Sequence, residues 1–437
     1  MNKKRLMITL SLIFAFALGL IVAPMTAMAE EETTITFSWW GGDARHNATQ
    51  EAVDLFMEKN PDIKVETSFG AWSGWEEKLS TQFSSGTAED MNQVNWNWIE
   101  AYSSDGSVFV DLRDHADIID LEQFPEDTLD VCTVADKLQG MPISMTGRIF
   151  YWNANTYEEA GLEIPTTLEE LKAAGEVFQN ELGDDYYPLV MGEYDRMIFM
   201  VYYLESVYGK PWVEEGELQY SAEEIAEGLQ LFLDLEEAHV IPTIEKLTGD
   251  GASSLDKNPN WMEGKYAGLF EWDSAATKMR DALNNPEHFT VGEYFTDMGE
   301  YQGGFTKVSQ AFAITETADE AQREAAAKLI DFLLNDEEAI VILGTTRGIP
   351  NSAKALEVLK AKEEETGEQL LDPDVVVAHE RIMDWTDFPL DPYFESAALK
   401  SSDGAYYDVH SGISYGDYSV EEAADILIDE INAVLGD

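Results

Sequence analysis

Residues 34 to 67 restrict the fold more than any other stretch of the chain. Ile35, Phe37 and Trp39 alternate with Thr34, Thr36 and Ser38, which is the two-residue period of a strand. Gly41-Gly42 breaks the run. Asp43 can cap the helix that follows, because its carboxylate can accept from the free backbone N–H groups there. Ala48, Ala52, Leu55 and Phe56 then recur at helical spacing. Asn60-Pro61 stops the helix, since a residue before proline is pushed out of the helical region. Ile63, Val65 and Thr67 alternate again. Strand, helix and strand at this length make a crossover between parallel strands, so the fold class is α/β. Ligands bind at the carboxyl ends of such strands. For the first strand that end is Trp39-Trp40-Gly41-Gly42-Asp43-Ala44-Arg45, where two indoles, an acid and a guanidinium meet.

The amino terminus reads as a targeting segment. Lys3, Lys4 and Arg5 precede an apolar run from Leu6 to Val22, and Ala27-Met28-Ala29 is a small-x-small cleavage site. Residues 1–29 are therefore expected to be a signal peptide, the competing reading being an uncleaved anchor. The protein is expected to be exported, to an extracellular, cell-surface or periplasmic location. No cysteine follows the apolar run, which argues against a lipid anchor. The remaining length exceeds one core, so two lobes are expected. Cys132 is the only cysteine and cannot form an internal disulfide. The chain carries 85 Asp+Glu against 27 Lys+Arg, net −58. Such a field makes nucleic acid and anionic lipid poor partners and favours a soluble monomer. At 11% aromatic residues the chain is too rich for an acidic disordered protein.

Further elements follow in order. Ser73 with Glu76 reads as a capping box before a helix with Trp75, Leu79 and Phe83 on one face. Trp72 lies off that stripe and is the freer indole. A short strand at Met91–Val94 ends in Asn95-Trp96-Asn97-Trp98, a second cluster of indoles and amides. Ile149–Trp152 is a strand. Thr167 with Glu170, Ser221 with Glu224, Thr317 with Glu320 and Ser419 with Glu422 read as four more helix starts. Tyr266–Phe270 is a strand leading to Glu271-Trp272-Asp273-Ser274, a third polar and aromatic turn. Val308–Thr315 is a strand, and Gly344–Pro350 is a loop containing Arg347.

This order of segments resembles the extracellular solute-binding proteins of bacterial ABC sugar importers, the maltose-binding-protein-like family 1. The resemblance rests on the 35–65 unit with Asn60-Pro61; Gly86-Thr87-Ala88-Glu89-Asp90; Gly140-Met141-Pro142 through Asn153; Ala160-Gly161 to Leu171; Trp261–Ala267; Gly303-Gly304; and Ala326–Leu333 followed by Gly348-Ile349-Pro350. Glu89 stands where the family usually has proline. The resemblance implies a two-lobed periplasmic-binding-protein fold with a hinge and an interlobe cleft. On that basis lobe one is expected at 33–144 and 303–349, and lobe two at 145–302 and 350–437. It also implies a carbohydrate ligand, a membrane ABC permease as partner, and a place for Gly304 at the site.

Sugars present C–H faces and hydroxyl rims, so their sites need aromatic planes and fixed polar groups. The candidates are Trp39, Trp40, Asp43, Arg45, Trp72, Trp96, Asn97, Trp98, Trp272, Asp273, Gly304 and Arg347. Each has a plainer role open to it. Trp39 continues the inward face of Ile35 and Phe37, Asp43 can serve only as a cap, and Arg45 can serve only as an ion-pair partner. Trp96 and Trp98 share one face if the strand continues, so one of them would be buried. Trp152, Trp212, Trp261 and Trp385 are expected to be packing. The rival function is a secreted glycoside hydrolase, which would use two paired carboxylates. The six histidines are scattered, and no His-Glu-x-x-His, Gly-x-Gly-x-x-Gly or phosphate loop occurs. Neither a metal nor a cofactor is expected.

Overall fold

The computed structural model describes residues 32–251 and 255–436. The expected signal peptide lies outside these residues. Strand β1 (Thr33–Trp40), helix α1 (Asp43–Lys59) and strand β2 (Ile63–Gly70) form the crossover, with β1 and β2 parallel from Thr33 opposite Ile63 to Trp40 opposite Gly70. Ile35, Phe37 and Trp39 are wholly buried, and Ser38 and Trp40 on the other face are buried too. Both faces of the strand are covered at this end, as is usual in parallel sheets.

After helix α2 (Trp75–Ser85), strand β3 (Met91–Val94) joins β1 in parallel. The strand Phe305–Ile314 then runs antiparallel to β3 and carries Met141–Thr146 on its other side, so this six-stranded sheet is mixed. A second sheet has Arg148–Asn153 at its centre, antiparallel to both Gly268–Trp272 and Phe289–Val291. Its aromatic core includes Phe150, Phe270 and Phe199, the last on the helix Glu193–Tyr208.

The chain passes from one sheet to the other at Gly147, the single residue between strands Met141–Thr146 and Arg148–Asn153. A Cβ there would lie 2.4 Å from the Ile382 side chain. It returns through Gly303-Gly304, which rest on the Glu193–Tyr208 helix. Gly303 N–H donates to Ser206 Oγ at 3.1 Å, and Gly304 N–H donates to Glu205 at 2.7 Å. Gly304 has φ +95°, and a Cβ would meet the Tyr202 ring at 2.5 Å. The Tyr202 hydroxyl joins both passages: it accepts from Arg148 N–H at 3.3 Å and donates to the Phe305 carbonyl at 2.7 Å. Helix Ala353–Thr366 packs on Glu337–Leu343 and Glu320–Asn335, beside the larger sheet.

Reciprocal capping occurs at Ser221 with Glu224 and at Ser419 with Glu422. Other starts differ from expectation. Helix α2 begins after Gly74 at φ +76°, with no side-chain cap. The helix Glu320–Asn335 is capped by Asp319, paired reciprocally with Gln322. Asp43 is not a cap either: Gly42 precedes α1, and Asp43 is an exposed residue of the first turn.

Candidate functional site

Between the two sheets lies an open cleft of about 940 Å³. One wall comes from the larger sheet. Trp40 ends β1, and Trp72, 44% exposed, precedes α2. Trp72 stacks on Trp98 with centroids 5.7 Å apart and planes 9° from parallel. Trp40 leans against both, at 5.2 and 5.3 Å. The opposite wall is built on the smaller sheet. Trp272, the last residue of its strand, has the Arg148 guanidinium carbon 4.7 Å and Lys307 Nζ 4.6 Å from its ring centroid. Tyr194 and Glu271 also face this side, and the lining further includes Thr146, Gln310, Glu395 and Lys400 and, on the Trp72 side, Glu76 and Glu77 of α2.

The charges of the cleft are held in networks. Arg148 donates to Asp195 and to the Phe270 carbonyl, both at 2.6 Å, with Glu271 at 3.5 Å. Burial alone would pull its proton off more easily, but Glu271 and Asp195 outweigh it and keep the guanidinium charged. Its Nε is buried without a partner, and so is Gln310 Oε1. Buried polar atoms left unpaired are costly, so these two are groups that a bound polar molecule could satisfy. Glu395 takes Lys307 Nζ at 2.6 Å, with Lys400 at 3.5 Å. Burial would raise the Glu395 carboxyl, but Lys307 and Lys400 hold it well below the usual carboxylate range.

Of the candidate residues, Trp40, Trp72 and Trp272 line the cleft. The others are set behind it or elsewhere. Trp39 is fully buried and donates through Nε1 to His46 at 3.1 Å, because it continues the core face of β1. Helix α3 (Trp96–Ser103) starts where a longer strand was expected. Two residues along a helix turn by about 200°, so Trp96 and Trp98 point apart. Trp96 Nε1 donates to Glu395 at 3.2 Å, and Trp98 Nε1 donates to Glu76 at 3.1 Å. Asn97 spends its amide on the Glu395 carbonyl at 3.1 Å.

Arg45 ties the end of β1 to the 344–350 loop, donating to the carbonyls of Thr346 at 3.0 Å and Trp40 at 3.2 Å. Burial pulls its pKa down to about 10. Arg347 is buried and donates to Gln93 and Thr49, both at 2.9 Å. Burial, then the Arg45 charge, lower its pKa well below the ordinary value. Asp273 is also fully buried. It accepts from Thr146 Oγ1 at 2.5 Å and from Ser274 N–H at 2.7 Å, and pairs with His379 at 3.0 Å. It thus positions two lining residues without facing the cleft. Gly304 lies in the chain passage under Tyr202.

Arg148, Tyr194, Lys307, Glu395 and Lys400 were not among the sequence candidates. Arg148 carries a recognisable signal, a cation at the start of the largely apolar strand Arg148–Asn153; Lys307 carries a weaker one, since its strand also holds Thr306, Ser309 and Gln310. Glu395 carries none, being one acid among 85 Asp+Glu. Among the described residues, no helix is long and apolar enough to cross a membrane.

The sheets, the two passages and the cleft define a two-lobed binding-protein architecture. The family model described as bacterial extracellular solute-binding protein matches residues 42–340, and the chain belongs to that family. A periplasmic oligogalacturonide-binding protein from Yersinia enterocolitica, solved in complex with saturated digalacturonic acid, is 33% identical with TM-score 0.85, covering 93% of this chain and 99% of that one. A periplasmic solute-binding protein from Pectobacterium atrosepticum is 30% identical with TM-score 0.84, covering 92% and 99%. An ABC substrate-binding protein from Listeria monocytogenes, in complex with cycloalternan, is 21% identical with TM-score 0.75 over 93% and 99%, a likeness of fold.

Proposed function

We propose that this protein captures an acidic oligosaccharide, one containing uronic acid units, and delivers it to a membrane ABC importer. The observation that carries the reading is Trp272 with both Arg148 and Lys307 close to its ring, across the cleft from Trp72. Aromatic planes on both walls suit sugar faces. The cations suit carboxylates, in a chain where cations are scarce, and the digalacturonate bound by the Yersinia relative supports the same ligand class. The two halves divide at Gly147 and Gly303-Gly304, and closing them would shut the sugar away from water. The importer would then read the closed shape. The protein acts as an exported monomer that binds its sugar without cleaving it.

Thermal unfolding with digalacturonate and with a neutral disaccharide tests this. A ligand at 100 times its dissociation constant adds about 2.7 kcal/mol, so digalacturonate is expected to raise the midpoint clearly and maltose much less. Equal shifts would remove the acidic part of the reading. Release of monosaccharide at an enzymatic rate would replace binding with hydrolysis.

A further inference from the structure

We propose that the Glu395 carboxylate is a latch between the two halves of the molecule and sets the spacing of the cleft walls. Its two oxygens gather donors from both halves, three from the larger sheet and its α3 junction and one, Tyr194, from the other side. Oε2 accepts from Asn95 Nδ2 at 3.0 Å and from Trp96 Nε1 at 3.2 Å, at the junction of β3 and α3 on the larger sheet. Oε1 accepts from the Tyr194 hydroxyl at 2.9 Å, on the helix that packs on the smaller sheet, and from Lys307 Nζ at 2.6 Å. Lys307 stands two residues beyond Phe305, where the chain returns to the larger sheet.

The segment that carries Glu395 is itself fastened on both sides. The Glu395 carbonyl accepts from Asn97, and Tyr393 reaches Glu100 at 3.4 Å, both on α3. One residue earlier, the Phe394 carbonyl accepts from Tyr406 at 3.0 Å, on the helix Ala405–Tyr415 that packs against Glu193–Tyr208. The residue is 2% exposed. A carboxylate so buried is stable only while its donors surround it, and charge-assisted bonds are the strong ones. If the halves part, the carboxylate cannot keep Tyr194 on one oxygen and Asn95 and Trp96 on the other. The energy of closing therefore comes partly from this resident carboxylate and not only from a sugar. Glu395 is a positioning residue: it also holds Lys307 over Trp272.

The distance between halves is read by spin labels on Glu58→Cys and Glu237→Cys, both exposed, in the full chain whose own Cys132 is buried. Glu395→Gln is expected to shift the distances without sugar toward longer values, with saturating digalacturonate restoring the short ones. Digalacturonate affinity is expected to fall at least tenfold. Tyr194→Phe keeps the ring and removes only the bond across, so it should move distances the same way by less. If Glu395→Gln does not fold, Tyr194→Phe decides. Unchanged distances in a folded variant overturn the latch. The affinity readout rests on the sugar reading above, and the distance readout does not: if digalacturonate fails to bind while the distances shift, the latch stands and the ligand assignment falls.

Discussion

Trp72 and Trp272 face one cleft from opposite sides, and what stands behind each indole differs. Behind Trp72 is another indole, Trp98, stacked in parallel and itself 1% exposed. Behind and around Trp272 are charges: Arg148, Lys307, and the acids that hold them. The first wall is rigid through apolar packing and leaves 44% of its outer ring in water. The second is rigid through paired ions, so its ring is polarised and its polar atoms are aimed. The first wall can offer a plane to almost any sugar. On the reading proposed above, it is the second that tells one sugar from another.

Removing the backing is the sharpest way to break this contrast. Trp98→Ala is expected to cost about 3–5 kcal/mol of stability, as large-to-small changes at buried tryptophans do, seen as a lowered urea midpoint. The second wall has a pH signature underneath it. Burial pushes the Glu205 carboxyl up to about 8, against the pull of the Gly304 and Trp212 N–H groups. The folded state thus keeps a proton that the unfolded chain gives up near the ordinary value of 4.5. Stability is expected to fall as pH rises from about 4.5 to about 8, by the order of a few kcal/mol, and to level off above. Urea titrations across that range, with Glu205→Gln losing this component, check it. Trp272→Ala is expected to cost about 2 kcal/mol of digalacturonate binding by calorimetry, the range of an interface hot spot. Trp72→Ala is expected to cost only about 1 kcal/mol, because its ring is half in water at the start. If Trp72→Ala costs more than Trp272→Ala, the roles of the walls are reversed.

The parts of this molecule that repeat at short range were readable in its residues. Ile35, Phe37 and Trp39 announce β1, and Ser221 with Glu224 announces a helix start, because strand period and reciprocal caps are local chemistry. Trp40 and Trp72 stood out because each breaks or escapes its local pattern, and Trp272 because of its place in a polar turn at a strand end and the family resemblance. The networks were not readable. Arg347 with Thr49 and Gln93, or Glu395 with Asn95 and Tyr194, join residues hundreds of positions apart. Nothing near Arg347 says that its fork is spent on neutral oxygens in the core. Trp96 and Trp98 misled for a definite reason: a strand and a helix both fit four residues, and the helix that begins at Trp96 sends the two rings to different neighbours.

A single phenol bonds to two of the passages between the halves, at residues 148 and 305. Neither passage can slip along its own length without losing its hold on the other. Sliding of one half past the other is therefore resisted at this point more than swinging about a line through those two residues. The phenol acts as a pin, so closure would change the angle of the two halves more than their offset.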